Sequence, residues 1–546
     1  MKIALAQLNY HIGNFAANTD KIIKAIQSAK QQGADLTVFA ELAVCGYPAR
    51  DFLEFSEFID LCEAAARKIA AACIDTACII GIPIRNPEKA GKDLFNAAYF
   101  IENGEIKAVI KKALLPNYDV FDEYRYFEPN SVFECIKFKG HTIALTICED
   151  LWNINDNPLY QFNPMDVLIK ERPELMINIA ASPFDYKHDE DRIKILGDNC
   201  RQYRLPLLYV NQVGSQTEMI FDGGSLAFNE KGELLDELNY FEEDLRTYEF
   251  KDGEIKGLKP VEAQKLSDIQ SIHSALVLGI KDYFQKSGFK EAVLGLSGGI
   301  DSALVCALAA EALGPSNVTG ILMPSKFSTS HSVQDALDLV NNLGCKHHII
   351  PIKEAADAFE KMMDPLFKNL PFNTTEENIQ ARSRAVVVMA FSNKFNSILL
   401  NTSNKSECAV GYGTLYGDMA GAIAVLGDVY KTQVYQLCEY INREREIIPR
   451  NTIIKPPSAE LRPDQKDSDS LPEYDILDRI LFQYIELKKS STEIAAQGYD
   501  LDLVRRVINM VNKAEFKRAQ APPILRISPK AFGMGRRMPI VGVFLK

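Results

Sequence analysis

The stretch Gly-Leu-Ser-Gly-Gly-Ile-Asp-Ser at positions 295–302 has the residue types and spacing of a phosphate-binding turn. It follows a short apolar run at 292–296 and opens an alanine- and leucine-rich stretch at 301–313, which predicts a strand that turns into a helix. Paired glycines permit a tight turn, and a helix N-terminus presents unpaired N–H groups to an anion. The Gly-Lys-Ser/Thr ending of a Walker A loop is absent, and Asp301 beside phosphates suggests a magnesium ligand.

A second reactive group is Cys148, which closes the apolar run 142–148. A cysteine that leaves a buried strand at its C-terminal end is well placed for nucleophilic chemistry. The nearest histidine in sequence, His141, lies seven positions earlier, and an odd separation along one strand puts two side chains on opposite faces. The thiol therefore needs another base. Glu41 closes a second strand, and Lys112 completes a third segment.

The elements that position these residues form two α/β patterns, because a chain of 546 residues is too long for one core. In the first pattern, helical stretches alternate with strands predicted at 3–7, 36–40, 78–82, 142–148, 175–179 and 207–211. In the second, strands are predicted at 292–296, 318–323, 347–352 and 397–401, and their order indicates a doubly wound parallel sheet. We predict one domain over 1–250, a linker over 251–270 and a second domain over 271–546.

Composition narrows the class of protein. A hydrophobic content of 47% and a charged content of 25% are typical of a globular chain. The formal charge of −12 argues against a nucleic-acid or membrane-surface binder. The eleven cysteines include no Cys-x-x-Cys pair, and no apolar run of 18 residues or signal-type segment occurs. We therefore expect a cytoplasmic enzyme without nucleic-acid or membrane partners.

Three segments resemble the signatures of the nitrilase superfamily: Phe39-Ala-Glu-Leu, Lys112 with Leu115-Pro116, and Ile147-Cys-Glu-Asp-Leu-Trp. The resemblance implies an α-β-β-α sandwich in which Glu41, Lys112 and Cys148 form a catalytic triad. Glu41 is then the general base on the thiol, Cys148 attacks an amide carbonyl, and Lys112 stabilises the oxyanion. The products are a thioester and ammonia. Glu123 resembles the additional glutamate that supports this triad.

Two further segments, Asn117-Tyr-Asp-Val-Phe-Asp-Glu and Ala180-Ala-Ser-Pro-Phe, are similar to the glutaminase domain of glutamine-dependent NAD synthetases. The resemblance implies that Tyr118, Ser182 and Lys187 hold the amino acid end of glutamine. A dipolar substrate needs such fixed polar partners. His188 or Arg192 is the alternative to Lys187, because the spacing after Ser-Pro-Phe varies.

Segments 377–384, 401–407, 411–418 and 431–434 resemble NAD synthetase motifs in the expected order. The Ser-Gly-Gly-Ile-Asp-Ser loop resembles that of enzymes that split ATP into AMP and pyrophosphate, which implies a Rossmann-like ATP-pyrophosphatase domain. The implied ATP contacts are Gly295, Leu296, Ser297, Gly298, Gly299, Ile300, Asp301, Ser302, Thr402 and Lys431. The implied Mg²⁺ ligands are Asp301 and Glu407. The implied contacts of deamido-NAD are Asn378, Arg382, Glu407 and Lys517.

The resemblance implies a complete reaction with glutamine, ATP and deamido-NAD as substrates. The nicotinate carboxylate attacks the α-phosphorus of ATP, and ammonia converts the adenylate into NAD and AMP. Segment 456–467 resembles a flexible loop that covers the synthetase site and excludes water. The family also implies a shielded passage for ammonia and a homodimer or higher homo-oligomer.

Three alternatives stay open on the sequence. Another carboxylic acid could be adenylated and amidated in place of deamido-NAD, although the motifs around Asn378, Thr402 and Glu407 argue against it. Related ATP loops also adenylate tRNA bases, but a basic face and paired cysteines are missing. The third alternative is a scaffold on a decayed nitrilase domain. All three triad residue types are present, which argues against decay.

Overall fold

The computed structural model describes residues 1–88, 90–154, 158–264, 266–368, 370–463 and 465–542. The chain divides into two compact units, Met1–Lys265 and Leu266–Lys546. The division falls within the segment 251–270, and the first unit includes one more short strand beyond residue 251. Along the described residues, no helix has both the length and the apolar character needed to cross a bilayer.

The first unit contains a seven-stranded mixed sheet. Its strands are β1 (Lys2–Gln7), β2 (Leu36–Phe39), β3 (Ala77–Arg85), β4 (Leu94–Glu102), β5 (Glu105–Lys111), β14 (Asp244–Lys251) and β15 (Glu254–Lys256). Their spatial order is β15-β14-β1-β2-β3-β4-β5. The strands β1, β2 and β3 are parallel to one another, and every residue of β2 is buried.

A second, six-stranded sheet faces the first. It contains β6 (Ile136–Phe138), β7 (His141–Ile147), β8 (Leu175–Ala180), β9 (Leu207–Asn211), β12 (Leu226–Phe228) and β13 (Leu234–Glu237), and β10 (Val213–Gln216) pairs separately with β11 (Met219–Asp222). One apolar core joins Val38 and Ile79 of the first sheet to Leu145 and Ile177 of the second. The helices of this unit are α1 (Phe15–Gln31), α2 (Ser56–Ala72), α3 (Met165–Leu168) and α4 (His188–Tyr203). Two layers of sheet between helices confirm the α-β-β-α sandwich.

The second unit is built on a parallel sheet of β16 (Ala292–Gly295), β17 (Val318–Leu322), β18 (Lys346–Ile349), β19 (Ile398–Asn401) and β20 (Ile423–Ala424). The spatial order is β18-β17-β16-β19-β20, which confirms the doubly wound topology. The chain moves outward from β16 to β18 and then returns to the other side of β16. Ligands bind in the crevice at the carboxyl ends of the two strands where this order reverses, here β16 and β19.

Helices cover this sheet and extend beyond it. They are α5 (Asp268–Ser287), α6 (Ile300–Leu313), α7 (Ser330–Leu343), α8 (Lys353–Phe367), α9 (Thr374–Phe395), α10 (Lys405–Val410), α11 (Lys431–Ile441), α12 (Arg450–Ile454), α13 (Tyr474–Ile485), α14 (Ser491–Ala495), α15 (Leu501–Lys513) and α16 (Glu515–Arg518). The segment 474–513 is divided into α13, α14 and α15. Ser490 accepts a hydrogen bond from the backbone N–H of Glu493, and Asp500 accepts one from that of Leu503. Each side chain therefore caps the start of a new helix.

Candidate active sites

The three predicted triad residues of the first unit lie together at strand ends. Glu41 comes two residues after β2, Lys112 directly follows β5, and Cys148 directly follows β7. The ammonium of Lys112 donates to Glu41 Oε1 at 2.7 Å and to Glu123 Oε2 at 2.8 Å. All four side chains are at most 5% exposed. The structure thus joins the triad and the supporting glutamate in one buried cluster.

The backbone around Cys148 is held in a strained turn. Cys148 has φ of 45°, the left-handed region that a residue with a Cβ rarely adopts, and it opens a 3₁₀ turn over Cys148–Leu151. Asp150 stabilises this turn, because its carboxylate accepts from the N–H groups of Ala113, Leu114 and Ile147 at 2.8–3.1 Å. The same carboxylate therefore fixes the chain after Lys112 and the chain before Cys148.

Glu41 is positioned by a close backbone contact. A Cβ at Gly81 of β3 would lie 2.3 Å from the nitrogen of Leu42 and 2.7 Å from the carbonyl carbon of Glu41. The N–H of Val44 donates to the oxygen of Gly81 at 3.2 Å, and the N–H of Ala181 donates to Glu41 Oε2 at 3.0 Å. The turn that carries Glu41 therefore rests directly on β3, at a position that only glycine allows.

Electrostatics keep the resting thiol protonated. Burial raises the pKa of Cys148 well above its usual value, Glu41 raises it further, and Lys112 lowers it in part. Burial also raises the pKa of Glu123 to about 7, although Lys112 lowers it. Burial by itself lowers the pKa of Lys112, but Glu123 and Glu41 outweigh it, so the pKa lies well above the usual value and the amine stays charged. A neutral thiol beside a charged lysine needs a base to become nucleophilic.

The predicted glutamine contacts are only partly brought together. Tyr118 donates its hydroxyl to both oxygens of Glu149, at 3.0 and 3.1 Å, beside the nucleophile. Ser182 is buried, and its N–H donates to Asn211. Lys187 is exposed, with Nζ 5.5 Å from the ring centroid of Tyr186.

Of the two alternatives to Lys187, Arg192 is fully buried and forms an ion pair with Asp222 at 2.7 Å. The side chain of His188 lies outside the described residues.

Sequence analysis assigned no role to Glu149, which follows Cys148 in the chain. Glu149 is 5% exposed, and its carboxylate also accepts from the hydroxyl of Tyr160 at 3.1 Å. Burial raises its pKa, although Lys112 and the two tyrosines lower it. The available signal was its place next to Cys148, which by itself does not separate a binding group from a cap.

In the second unit, the loop between β16 and α6 has the predicted phosphate-binding geometry. Gly298 has φ of 80°, and a Cβ there would lie 2.2 Å from the carbonyl oxygen of Ser332. Within the loop, the N–H of Gly299 donates to the hydroxyl of Ser297 at 3.1 Å, and the hydroxyl of Ser302 donates to the oxygen of Gly299 at 3.0 Å. The loop is therefore closed on itself and packed against α7. The first residues of α6 line the neighbouring cavity.

This loop borders a cavity of about 310 Å³ at the carboxyl ends of β16 and β19. The size is within the range of small-molecule sites. Predicted ATP contacts that line the cavity are Gly295, Leu296, Ser297, Gly299, Ile300, Asp301, Ser302, Thr402 and Lys431. Gly298 instead faces Ser332.

Asp301, Glu407 and Lys431 form a charged cluster on the cavity wall. Lys431 Nζ lies 2.5 Å from Asp301 Oδ2 and 3.7 Å from Glu407 Oε1. Asn404 donates to Asp301 Oδ1 at 2.9 Å. Burial raises the pKa of Glu407 to about 8, Asp301 raises it further, and Lys431 lowers it. The two carboxylates thus share one cation.

The predicted deamido-NAD contacts lie further apart. Asn378 accepts from the hydroxyl of Thr414 at 2.7 Å, and Lys517 donates to the carbonyls of Gly411 and Gly413 at 2.8 and 2.7 Å. Of the four, only Glu407 is among the residues that line the 310 Å³ cavity.

Arg382 is exposed, and its Nε donates to Leu415 O at 3.2 Å. Arg384, two residues later, lines the cavity and donates to Met323 O at 3.1 Å. Residues two apart on a helix point in different directions. The sequence alone does not show which face of α9 meets the cavity, and so does not distinguish these arginines.

The segment predicted as a lid lies across this cavity. Residues 455–461 and Asp467 line it. Glu460 accepts from the hydroxyls of Ser332 at 2.7 Å and Thr329 at 3.0 Å, at the start of α7. Asp467 accepts from the hydroxyls of Tyr412 and Tyr474 at 3.1 and 2.9 Å. These contacts hold the segment in a closed position.

No group of three or more histidine, cysteine, aspartate or glutamate side chains that could hold a metal ion occurs in the described part of the chain. Asp301 and Glu407 fit a different mode, in which Mg²⁺ is held by one or two carboxylates and by substrate phosphates. Two carboxyl groups beside the phosphate loop, which can both ionise once a divalent cation binds, suit such an ion.

Each half of the chain matches a known protein family. Residues 2–259 match the carbon-nitrogen hydrolase family and residues 272–521 match the NAD synthase family. The fold and sites therefore define a two-domain protein in which a carbon-nitrogen hydrolase is joined to an NAD synthase.

Full-length relatives have the same two-domain organisation. The glutamine-dependent NAD(+) synthetase of Synechocystis is 46% identical over 99% of both chains. The solved glutamine-dependent NAD+ synthetase of Acinetobacter baumannii, in complex with ADP, is 38% identical with a TM-score of 0.79, covering 99% of this chain and 98% of that one. The Cytophaga hutchinsonii synthetase, 22% identical over the same shares, has the same fold with a TM-score of 0.83. The chain belongs to the glutamine-dependent NAD(+) synthetase family.

Proposed function

We propose that this chain is a ligase that converts deamido-NAD into NAD, with ATP as co-substrate and glutamine as nitrogen donor. The observation that carries this proposal is the buried cluster of Glu41, Lys112 and Cys148, which is joined at three strand ends in a chain that also has an ATP-type phosphate loop. Family membership supports the same reaction. We assign the glutaminase to residues 1–250 and the synthetase to residues 271–546, with a linker at 251–270.

In the glutaminase reaction, Glu41 accepts the proton of the Cys148 thiol, and the thiolate attacks the side-chain carbonyl of glutamine. The ammonium of Lys112 stabilises the oxyanion of the tetrahedral intermediate. Ammonia leaves with a proton returned by Glu41, which gives a thioester at Cys148. Glu41 then takes a proton from water, and hydroxide attacks the thioester. The Cys148 thiolate leaves and regains its proton from Glu41 as glutamate is released.

Recognition of glutamine uses charges at the mouth of this cluster. We assign its α-ammonium to the carboxylate of Glu149, because that carboxylate is buried, already accepts from Tyr118, and has no directly bonded cation among the described residues. Tyr118 and Ser182 contact the same end of the substrate. Lys187 is exposed, and movement of the chain before α4 would bring it to the substrate carboxylate.

In the synthetase reaction, the loop at 295–302 and the N-terminus of α6 bind the phosphates of ATP, with Thr402 beside the nucleotide. Lys431 neutralises charge on the phosphates as the substrate carboxylate attacks the α-phosphorus. Pyrophosphate leaves, and ammonia attacks the acyl carbon of the adenylate, which gives NAD and AMP. Asp301 and Glu407 would hold Mg²⁺, which supplies charge neutralisation and Lewis-acid polarisation of the phosphates.

Deamido-NAD is assigned to Asn378, Arg382, Glu407 and Lys517. Arg382 shares an exposed face of α9 with Val386 and Met389, which are 64% and 38% exposed. The neighbouring α8 exposes Phe359, Met362 and Leu366, and all four residues of the edge strand β18 are exposed. Several exposed apolar side chains on neighbouring elements are typical of an interface. We propose that a second copy of the chain covers this surface and completes the dinucleotide site.

Two further proposals concern where the enzyme works in the cell and how ammonia reaches the second reaction. All eleven cysteines are unpaired, which fits a reducing cytoplasm. Ammonia released into bulk water is mostly protonated and no longer nucleophilic. We therefore propose a shielded passage for it between the two reactions.

The test is NAD formation from deamido-NAD and ATP, with glutamine or ammonium chloride as nitrogen source. Cys148→Ala should lose glutamine-driven synthesis by at least about 10³-fold and keep ammonia-driven synthesis. Cys200→Ala, which removes another buried thiol, should keep both. No NAD from wild type with either source would overturn the acceptor, and glutamine-driven activity in Cys148→Ala would overturn the nucleophile.

A further inference from the structure

A buried asparagine connects the two carboxylates of the glutaminase cluster. Asn96 lies inside β4 and is 1% exposed. Its Nδ2 donates to Glu41 Oε1 at 2.6 Å and lies 3.4 Å from Glu123 Oε2. Its backbone oxygen accepts from the N–H of Lys112 at 2.8 Å. One residue thus contacts the base, the supporting glutamate and the lysine.

The orientation of this amide is imposed by its neighbours. A carboxylate oxygen only accepts hydrogen bonds, so the NH₂ group must face Glu41 Oε1, the nearer of the two carboxylate oxygens. The opposite atom, Oδ1, is buried without a hydrogen-bond partner among the described residues. An unsatisfied buried acceptor costs free energy. The amide therefore leaves its oxygen unsatisfied while its nitrogen contacts the carboxylates.

The cluster has one negative charge more than it has positive charges. Glu41 and Glu123 share the single ammonium of Lys112, and repulsion in a buried site favours a proton on one carboxylate. If Glu41 held that proton, it could not accept another from Cys148. The position of the proton therefore decides whether the nucleophile can be activated.

The donors around the two carboxylates are unequal. Glu41 accepts from Lys112, from the N–H of Ala181 and, at the short distance, from Asn96. Glu123 accepts from Lys112 with both oxygens, at 2.9 and 2.8 Å, and from the hydroxyl of Tyr47 at 3.0 Å. Hydrogen bonds from N–H donors favour the ionised form of a carboxylate. Asn96 favours Glu41 over Glu123, because its Nδ2 lies 0.8 Å closer to the Glu41 oxygen than to the Glu123 oxygen.

We propose that Asn96 is a positioning residue of the glutaminase, which holds Glu41 ionised by hydrogen bonding and leaves the shared proton on Glu123. This inference rests on the proposed function of the cluster and specifies how its base is kept ready. The charged or titratable groups that face Glu41 are Lys112, Glu123, Cys148, Tyr47 and Glu149. Asn96 is the uncharged side chain that bonds directly to its carboxylate.

The test is the pH dependence of glutamate release from glutamine by the full chain, with ATP and deamido-NAD present. In Asn96→Ser the acid limb of kcat/KM should move up by about one pH unit, since the lost hydrogen bond favoured ionised Glu41. At a fixed pH on the acid limb, kcat/KM for glutamate release should fall up to roughly tenfold, and on the plateau it should change little. Ammonia-driven NAD synthesis should stay within about twofold of wild type, which shows that the chain is folded.

Two further variants make the result decisive. Asn199→Ser also removes a buried amide, one that donates to Leu151 O and Ile195 O, and should not move the acid limb. Asn96→Asp keeps the shape of the side chain but adds a carboxyl group, so it should move the limb further than Asn96→Ser. An unchanged limb in either folded Asn96 variant would overturn the inference. Glutamine-driven activity in Cys148→Ala would instead overturn the proposed function.

Discussion

Lys431 Nζ lies 2.5 Å from Asp301 Oδ2, so the lysine assigned to the ATP phosphates and the carboxylate assigned to Mg²⁺ form one ion pair. Glu407 extends the pair at 3.7 Å. Because α6, α10 and α11 each contribute one of these groups, the cluster joins three helices at the cavity wall. A change at any one of them alters the charge balance of the other two.

Lys431→Met should abolish most synthetase activity. The variant leaves Asp301 and Glu407 without their shared cation and removes a charge expected to stabilise the transition state, so NAD formation should fall by at least about 10²-fold with either nitrogen source. Glutamate release from glutamine should continue. Lys394→Met on the exposed end of α9 is the control. NAD formation near the wild-type rate would show that Lys431 has no part in phosphate binding.

Gly81→Ala should impair only the glutaminase. A Cβ at this position collides with the turn that carries Glu41, and a displacement of about 1 Å can cost roughly 10²-fold in rate. Ammonia-driven synthesis should remain near wild type. Gly253→Ala, which has open space for its Cβ but a positive φ of 76°, is the control for backbone strain away from the cluster. Equal kcat for glutamate release in Gly81→Ala and wild type would contradict the contact.

Glu123→Gln should change how stability depends on pH. Burial raises the pKa of Glu123 to about 7 from a usual 4.5, so between these values the folded chain keeps a proton that the unfolded chain has released. Wild-type stability therefore falls as pH rises through this range. The glutamine variant has no such proton, so its Tm relative to wild type should rise by roughly 3 °C or more between pH 5 and pH 8. Parallel Tm curves in scanning calorimetry would contradict the expectation.

Glu460→Ala should loosen the lid. The side chain bonds to Ser332 and Thr329 at the start of α7. Its loss removes three hydrogen bonds between the lid and α7. Trypsin cleavage after Lys466 should become several-fold faster, and KM for ATP should rise more than kcat falls. Cleavage at the wild-type rate would mean that the other lid contacts suffice.

The positions of Glu41 and Cys148 could be predicted because each follows or closes a predicted strand, at 36–40 and 142–148, whereas Lys112 is identified from the resemblance of its segment alone. Asn96 could not be predicted, because it lies inside β4, and its contact with Glu41 depends on how β3 pairs with β4 and where the chain leaves β2. The carboxyl-end location of both sites follows from strand order. The choice between Arg382 and Arg384 depends on the rotation of α9, which sequence spacing alone does not define.

The separation of Asp301 and Lys431 in sequence, 130 positions, has a consequence for folding. The strand, turn and helix from β16 to α6 are contiguous and can form early, since their contacts are local. The pairing of α6 with α11 must wait until the long return through α8 and α9 has placed β19, because distant contacts require closure of a long loop. A partly folded second unit would therefore already contain its phosphate loop while lacking its cation, so catalytic competence is gained late in folding.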